Sequence, residues 1–209
     1  MAGVVVQLVG YGATAVACVQ LVPQVTRTVT TRRTAGVSPM MWALLCAQGF
    51  GWIGYGVRAS LVPPVLTNVV ALTCAVVLFA VLKAEQAPGV GRALAVVALA
   101  AMVVVAVIVV FPNGVLGALA ALLSASVTWP QAVAALRTPD LSGLSRSSWA
   151  VGIAASSMWA LYGAANGSLP MVLASIEGMV LALVVLARIM AFERRVALVQ
   201  PLESATRSA

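Results

Sequence analysis

Histidine is absent from this chain of 209 residues, which removes the commonest metal ligand and the side chain best placed for general base work near neutral pH. Acidic residues number five, and of these only Glu177 lies well inside an apolar stretch, so no pair of carboxylates can be drawn together for acid–base chemistry. Cys18, Cys46 and Cys74 each fall in a different apolar stretch and read as small packing residues rather than as a disulfide or metal set. No phosphate-binding GxxxxGK[ST] motif is present. These absences argue against an enzyme, and no metal or other cofactor is expected.

Apolar residues are what the chain has in excess. With 62% hydrophobic and 8% charged residues it cannot present a water-soluble surface, and it reads as an integral membrane protein. A helix crossing a hydrocarbon core of roughly 30 Å needs about 20 apolar residues. Stretches of that kind are expected near 3–28, 39–58, 62–83, 92–111, 113–136, 147–165 and 169–191. Breaks such as Pro63-Pro64, Ala87-Pro88-Gly89, Pro112-Asn113-Gly114, Pro139-Asp140 and Asn166-Gly167 separate them.

Seven crossings put the two termini on opposite sides. Arg27, Arg32, Arg33, Lys83, Arg92, Arg137, Arg146, Arg188, Arg194, Arg195 and Arg207 then share one side, leaving Arg58 alone on the other. This bias of eleven to one places the amino terminus outside and the carboxyl terminus in the cytoplasm of a plasma-membrane protein. The net charge of +7 is thus a topology signal and implies no nucleic-acid partner. The expected partners are the lipid bilayer and a small solute, and homo-oligomerisation is compatible with the sequence.

Much of the chain occurs twice. Pro23-Gln24, Gly36, Ser38, Trp42, Trp52, Tyr55, Gly56 and Pro63 recur 107 residues downstream as Pro130-Gln131, Gly143, Ser145, Trp149, Trp159, Tyr162, Gly163 and Pro170. An offset kept through helices and loops alike marks two copies of one folding unit. Three crossings deliver the chain to the far side, so a second copy joined directly would be inverted. The extra apolar span near 92–111 restores the starting side, and the copies can be parallel, related by an axis along the membrane normal. The expected units are a first three-helix repeat at 1–85, a linker helix at 86–111, a second repeat at 112–191 and a cytoplasmic tail at 192–209.

Leu21-Val22-Pro23-Gln24, Thr34-Ala35-Gly36-Val37-Ser38, Trp52-Ile53-Gly54-Tyr55-Gly56 and Val62-Pro63-Pro64-Val65-Leu66-Thr67-Asn68 resemble the PQ-loop repeat of the SWEET and SemiSWEET sugar transporters. Trp129-Pro130-Gln131, Leu141-Ser142-Gly143-Leu144-Ser145, Trp159-Ala160-Leu161-Tyr162-Gly163 and Leu169-Pro170 resemble it again. In both copies the Trp follows the Pro-Gln proline by 29 residues and a second Pro follows by 40. The resemblance implies an all-α membrane protein of seven transmembrane helices arranged 3+1+3, working as a facilitative carrier of mono- or disaccharides by alternating access. It implies substrate contacts at Trp52, Trp159 and Asn68, and hinges at Pro23-Gln24 and Pro130-Gln131. Each proline lacks an amide hydrogen, so the carbonyls of Val19 and Ser126 lose their helical partners.

Two residues depart from that pattern. Ser175 stands where the second copy would repeat Asn68, which makes the expected pocket asymmetric. Glu177 replaces the counterpart of Val70. An ionised carboxylate in a span is costly unless a cation pairs with it, and an acid there is a functional hypothesis by default. It admits a second reading, a proton-coupled carrier of amino acids or another small solute with Glu177 as the proton site. Two residues on a helix lie roughly 200° apart, so Ser175 and Glu177 are not expected to point squarely into one pocket. Trp42 and Trp149, near the starts of their spans, read as interfacial belt residues. A third reading is a non-transporting receptor or scaffold on the same fold.

Overall fold

The computed structural model describes residues 2–34, 37–137, 141 and 146–207, and their side chains except at 2, 23, 24, 131, 134 and 198–207. Gly36, Gly143, Ser145, the Pro139-Asp140 break and the side chains of Pro23, Gln24 and Gln131 therefore lie outside the described residues. The described chain is all α: α1 (Ala2–Thr31), α2 (Pro39–Arg58), α3 (Val62–Ala84), α4 (Val90–Val110), α5 (Asn113–Arg137), α6 (Arg146–Ala165) and α7 (Leu169–Arg207). Helices α1, α3, α4, α5 and α7 are long and apolar enough to cross a bilayer by themselves. Helices α2 and α6 fall outside that group. Gln48, Gly49, Gly51, Gly54 and Gly56 dilute the first, and Ser147, Ser148, Ser156 and Ser157 the second.

Within the first copy α3 packs against both α1 and α2, and within the second α7 packs against both α5 and α6. The bundles meet through α1 on α6 and α2 on α5, so six helices close a ring in which each copy offers its first and second helices to the other. The linker α4 lies outside that ring, mainly against α2. This is the 3+1+3 arrangement of a multi-pass membrane protein.

The turns repeat as well as the helices. Helix α2 ends with Ala59 N–H bonded to Tyr55 O, Ser60 to Val57 O and Leu61 to Gly56 O; α6 ends with Asn166 to Tyr162 O, Gly167 to Ala164 O and Ser168 to Gly163 O. Both turns need a left-handed residue to satisfy those carbonyls, Ser60 at φ 57° and Gly167 at φ 65°. Proline then opens the next helix, as Pro63 in α3 and Pro170 in α7, where the missing amide hydrogen costs nothing.

Charged side chains finish the helix ends. Arg58, the exception to the charge bias, donates through one Nη to Ile108 O at 3.1 Å and Phe111 O at 2.8 Å. A cation satisfying the last carbonyls of α4 has an electrostatic reason to be there. At the opposite, arginine-rich end, Arg32 pairs with Glu85 at 3.8 Å and Arg146 with Glu193 at 3.6 Å. Each copy thus ties its third helix, just past that helix's apolar stretch, to the approach to its second.

The belt reading of Trp42 is corrected. Its side chain is buried in the first bundle's core among Ala43, Cys46, Leu78 and Leu82, at 2% exposure. Trp149 is half-buried against the corresponding core of the second bundle. Helix α7 continues past the apolar stretch that ends near 191, as far as Arg207, so the residues expected as a tail are helical over 192–207.

The paired turns predict opposite substitution effects. A non-glycine residue in the left-handed region costs roughly 1 kcal/mol. Ser60→Gly should therefore stabilise by about 0.5 kcal/mol after the added chain entropy of glycine. Gly167→Ala has open space for its methyl group and should destabilise by about 1 kcal/mol, purely through the backbone. Denaturant titration of the two variants in the same detergent checks the signs.

Candidate functional site

A cavity of about 300 Å³ lies where the two bundles face each other. Its wall is built from matching positions of the copies: Ala17 and Ser124, Leu21 and Thr128, Trp52 and Trp159, Pro64 and Met171, Thr67 and Ala174, Asn68 and Ser175, Ala71 and Gly178. On α3 and α7 these positions follow a spacing of three, one and three residues, one helical face each. Leu45, Gln48, Ser156 and Glu177 complete the lining.

The four expected substrate contacts, Trp52, Asn68, Trp159 and Ser175, are brought together on this wall. Glu177 joins them. The 200° separation did not exclude it, because it sits at the edge of the lining face of α7 and reaches sideways to α5. Thr128 Oγ1 donates to Glu177 Oε1 at 3.0 Å. Pro23 and Pro130, the expected hinges, each lie inside a helix, and both α1 and α5 continue beyond them.

Hydrogen bonds already made within the protein limit what each group can offer a solute. Asn68 Nδ2 donates to Pro64 O at 2.8 Å, and Ser175 Oγ donates to Met171 O at 2.7 Å. Both bonds run to the residue four earlier, so the copies keep the geometry while changing the chemistry. Asn68 retains one N–H and its Oδ1, whereas Ser175 retains only acceptor capacity. Trp52 Nε1 crosses between bundles to Ser124 Oγ at 2.8 Å, and Ser124 in turn donates to Ala120 O at 3.0 Å. The position facing Trp159 in the same way is Ala17, which carries no acceptor. Each Trp stands edge-on to the tyrosine of its own copy, Trp52–Tyr55 at 5.8 Å and 82° and Trp159–Tyr162 at 6.0 Å and 87°.

Sequence reasoning missed Gln48, Ser124, Thr128 and Ser156. A signal existed for two of them: Ser124 and Thr128 are one helical turn apart on α5, immediately before Pro130, where the first copy has Ala17 and Leu21. The polar surplus at those two positions was readable from the repeat alignment.

The cavity is sealed at one end. Away from the arginines, a single core joins both bundles, with Tyr55 and Leu61 from the first packed with Leu116, Tyr162 and Met171 from the second. Backbone proximity tightens it: a Cβ on Gly10 would lie 2.6 Å from Tyr162 Cε2 and 2.8 Å from Pro63, and one on Gly117 would lie 2.8 Å from Tyr55 Cε2 and 2.7 Å from Pro170. Tyr55 and Ser168 hydroxyls share a hydrogen bond of 2.7 Å across the closure. The matching hydroxyl of Tyr162 faces a copy with Leu61 in place of serine. It is buried outside hydrogen-bonding geometry, with Gln7 as its polar neighbour. At the arginine-rich end the cores are separate, one from α1–α4 and one from α5, α7 and Leu141, and none among the described residues spans both bundles.

Residues 5–65 match the PQ-loop repeat family. A solved eukaryotic SWEET transporter superposes with a TM-score of 0.69 at 13% identity, covering 91% of this chain and 99% of that one. No curated protein sequence matches.

The Tyr55–Ser168 bond yields a specific expectation. A neutral hydrogen bond contributes about 0.5–1.5 kcal/mol, so Tyr55→Phe should shift the balance away from this closure by roughly two- to twelve-fold. Labelling of a single cysteine introduced at Ala17 by a reagent applied from the sealed end, in an otherwise cysteine-free background, reads that shift as a faster rate.

Proposed function

We propose, from the match of residues 5–65 to the PQ-loop repeat family and the fold shared with a SWEET transporter, that this chain is a membrane transporter and not an enzyme, and that it carries sugars by facilitated diffusion. The observation that carries this reading is the cavity between the bundles, walled by paired positions of the two repeats. At about 300 Å³ it sits at the small end of ligand pockets, which run from roughly 300 to 1,000 Å³. That size favours a monosaccharide over a disaccharide. The two indoles offer apolar faces for a pyranose ring, and Asn68, Ser124, Thr128, Gln48 and Ser156 offer the hydroxyl-matching groups around it.

The closure already described supports alternating access. Sealing at one end rests on contacts between bundles, while the other end has separate cores, so rocking the bundles about the cavity would exchange the two conditions. With the arginine-rich end in the cytoplasm of a plasma-membrane protein, the structure faces inward. The prolines supply the bend. Pro23 and Pro130 each leave a carbonyl of the preceding turn without its helical donor, a place where α1 and α5 can flex at low cost if water or a hydroxyl takes that carbonyl up.

Proteoliposome uptake of labelled D-glucose, sucrose and alanine at equal internal and external pH tests the reading. D-glucose entry that stops at equilibration is expected. Entry of alanine alone, or uptake only under an imposed pH gradient, replaces it with the proton-coupled carrier.

Two variants follow from the geometry. Losing a buried hydrogen-bonding partner costs about 1–3 kcal/mol, so Asn68→Ala should weaken glucose binding roughly five- to 150-fold and Ser175→Ala less, measured by equilibrium binding. Pro23→Ala with Pro130→Ala should slow flux more than it weakens binding. Unchanged flux in that double variant would leave the prolines as static kinks.

A further inference from the structure

Glu177 has no role in carrying a neutral sugar, yet it is the one ionisable side chain among the residues lining the cavity. We propose that Glu177 is a proton-operated latch, its ionised form holding α5 to α7 through Thr128 and its protonated form releasing α5 to bend at Pro130. The inference rests on the transporter reading of the cavity and adds a pH control that the uniport mechanism does not require.

Three observations support it. First, Thr128 sits two residues before Pro130, where α5 has already lost a backbone hydrogen bond, so a tie at Thr128 acts directly on the flexible segment. Second, the Thr128 hydroxyl has alternative acceptors within reach. Besides Glu177 Oε1 at 3.0 Å, Ser124 O lies at 3.3 Å and Ala125 O at 3.4 Å. A hydroxyl has a single proton, so it goes to the strongest acceptor. An ionised carboxylate wins, because charge-assisted bonds are roughly twice as strong as neutral ones. A protonated carboxyl loses that advantage and becomes a donor itself, and the Thr128 proton can return to the carbonyls of its own helix. Third, the same turn of α5 carries Ser124, which receives the Trp52 indole proton from the opposite bundle. The latch therefore touches the element through which the two bundles meet.

The surroundings leave the proton as the operator. Helix α7 packs against α5 and α6. Among the described side chains, the ionisable groups these helices present besides Glu177 are Arg137 on α5, Arg146 and Tyr162 on α6, and Arg188, Glu193, Arg194 and Arg195 on α7 itself. Arg137 is nine residues from Thr128 and Arg188 eleven from Glu177, roughly 13 and 16 Å along their helices at 1.5 Å per residue. Arg146 is paired with Glu193 at the bundle end, and Tyr162 lies in the sealed core. None supplies a neighbouring cation to hold the carboxylate. The first copy has valine and leucine at the positions of Glu177 and Thr128, so the latch belongs to the second bundle alone.

The test needs no knowledge of the solute. Tryptophan fluorescence of the full chain in lipid nanodiscs, titrated from about pH 4 to pH 9, should show a transition, since Trp52 and Trp159 line the same cavity. Glu177→Gln should abolish it. Thr128→Val should abolish it as well, because ionised Glu177 then has no hydroxyl on α5 to hold. The Thr128→Ser variant should restore it. A transition that survives in Glu177→Gln or in Thr128→Val overturns the proposal, as does one that follows sodium concentration at fixed pH. Glucose flux in the same preparation is a separate reading. Absent flux with an intact transition removes the sugar assignment and leaves the latch standing, whereas pH-independent glucose flux with no transition does the reverse.

Discussion

The close approach of Gly10 to Tyr162 and of Gly117 to Tyr55 is the constraint on which the rest of this structure depends. Each glycine belongs to the first helix of one copy, and each tyrosine to the second helix of the other, so the two contacts are one interaction exchanged across the pseudo-twofold axis. A methyl group at either glycine would sit inside van der Waals distance of a rigid ring and a rigid proline. Only a residue without a side chain lets the helices close there. Once they do, each tyrosine positions the tryptophan three residues earlier on its own helix, and the two tryptophans become opposite walls of the cavity. The sealed end, the depth of the cavity and the placing of its aromatic faces therefore share one cause.

Most of this was legible because a repeat amplifies weak signals. A Pro-Gln pair or a Trp at helical spacing says little by itself, but the same residues returning 107 positions later fix the helix count, the linker and the paired wall. What the sequence hid was of two kinds. Helix α7 runs on as far as Arg207, since a helix that leaves the bilayer loses its apolar signature without losing its hydrogen bonds. Trp42 was misread because an indole near the start of a span fits a membrane interface and a core equally well, and only packing against Leu78 and Leu82 separates them. Glu177 was visible as an anomaly, but its partner was not. Thr128 looks ordinary until three-dimensional packing of α5 on α7 supplies the contact.

Backbone symmetry and chemical asymmetry have been separated cleanly here. The copies keep glycine, proline, tyrosine and tryptophan at matched positions, the residues that set helix approach and cavity shape. They differ where hydroxyls, amides and a carboxylate are concerned. In the first copy, Thr67 donates to Thr14 at 2.8 Å, and Thr14 lies 3.2 Å from Pro63 O, so α1 is tied to α3 nine residues before Pro23. The second copy has alanine at both threonine positions and is tied instead at Thr128 and Glu177, two residues before Pro130.

That difference in depth has a mechanical consequence. A tie nine residues from a proline, roughly 13 Å along the helix at 1.5 Å per residue, leaves the intervening turns free to bend whatever its strength. A tie two residues away acts within the same turn and opposes the bend directly. The two Pro-Gln segments are therefore tied unequally: α1 is anchored nine residues before its proline, and α5 two residues before its own. Making the nearer anchor ionisable places an adjustable hydrogen bond of the cavity wall at the position where its strength matters most. The farther anchor is built from hydroxyls that keep the same charge across the physiological range, so it holds α1 to α3 as a fixed frame against which the second bundle can move.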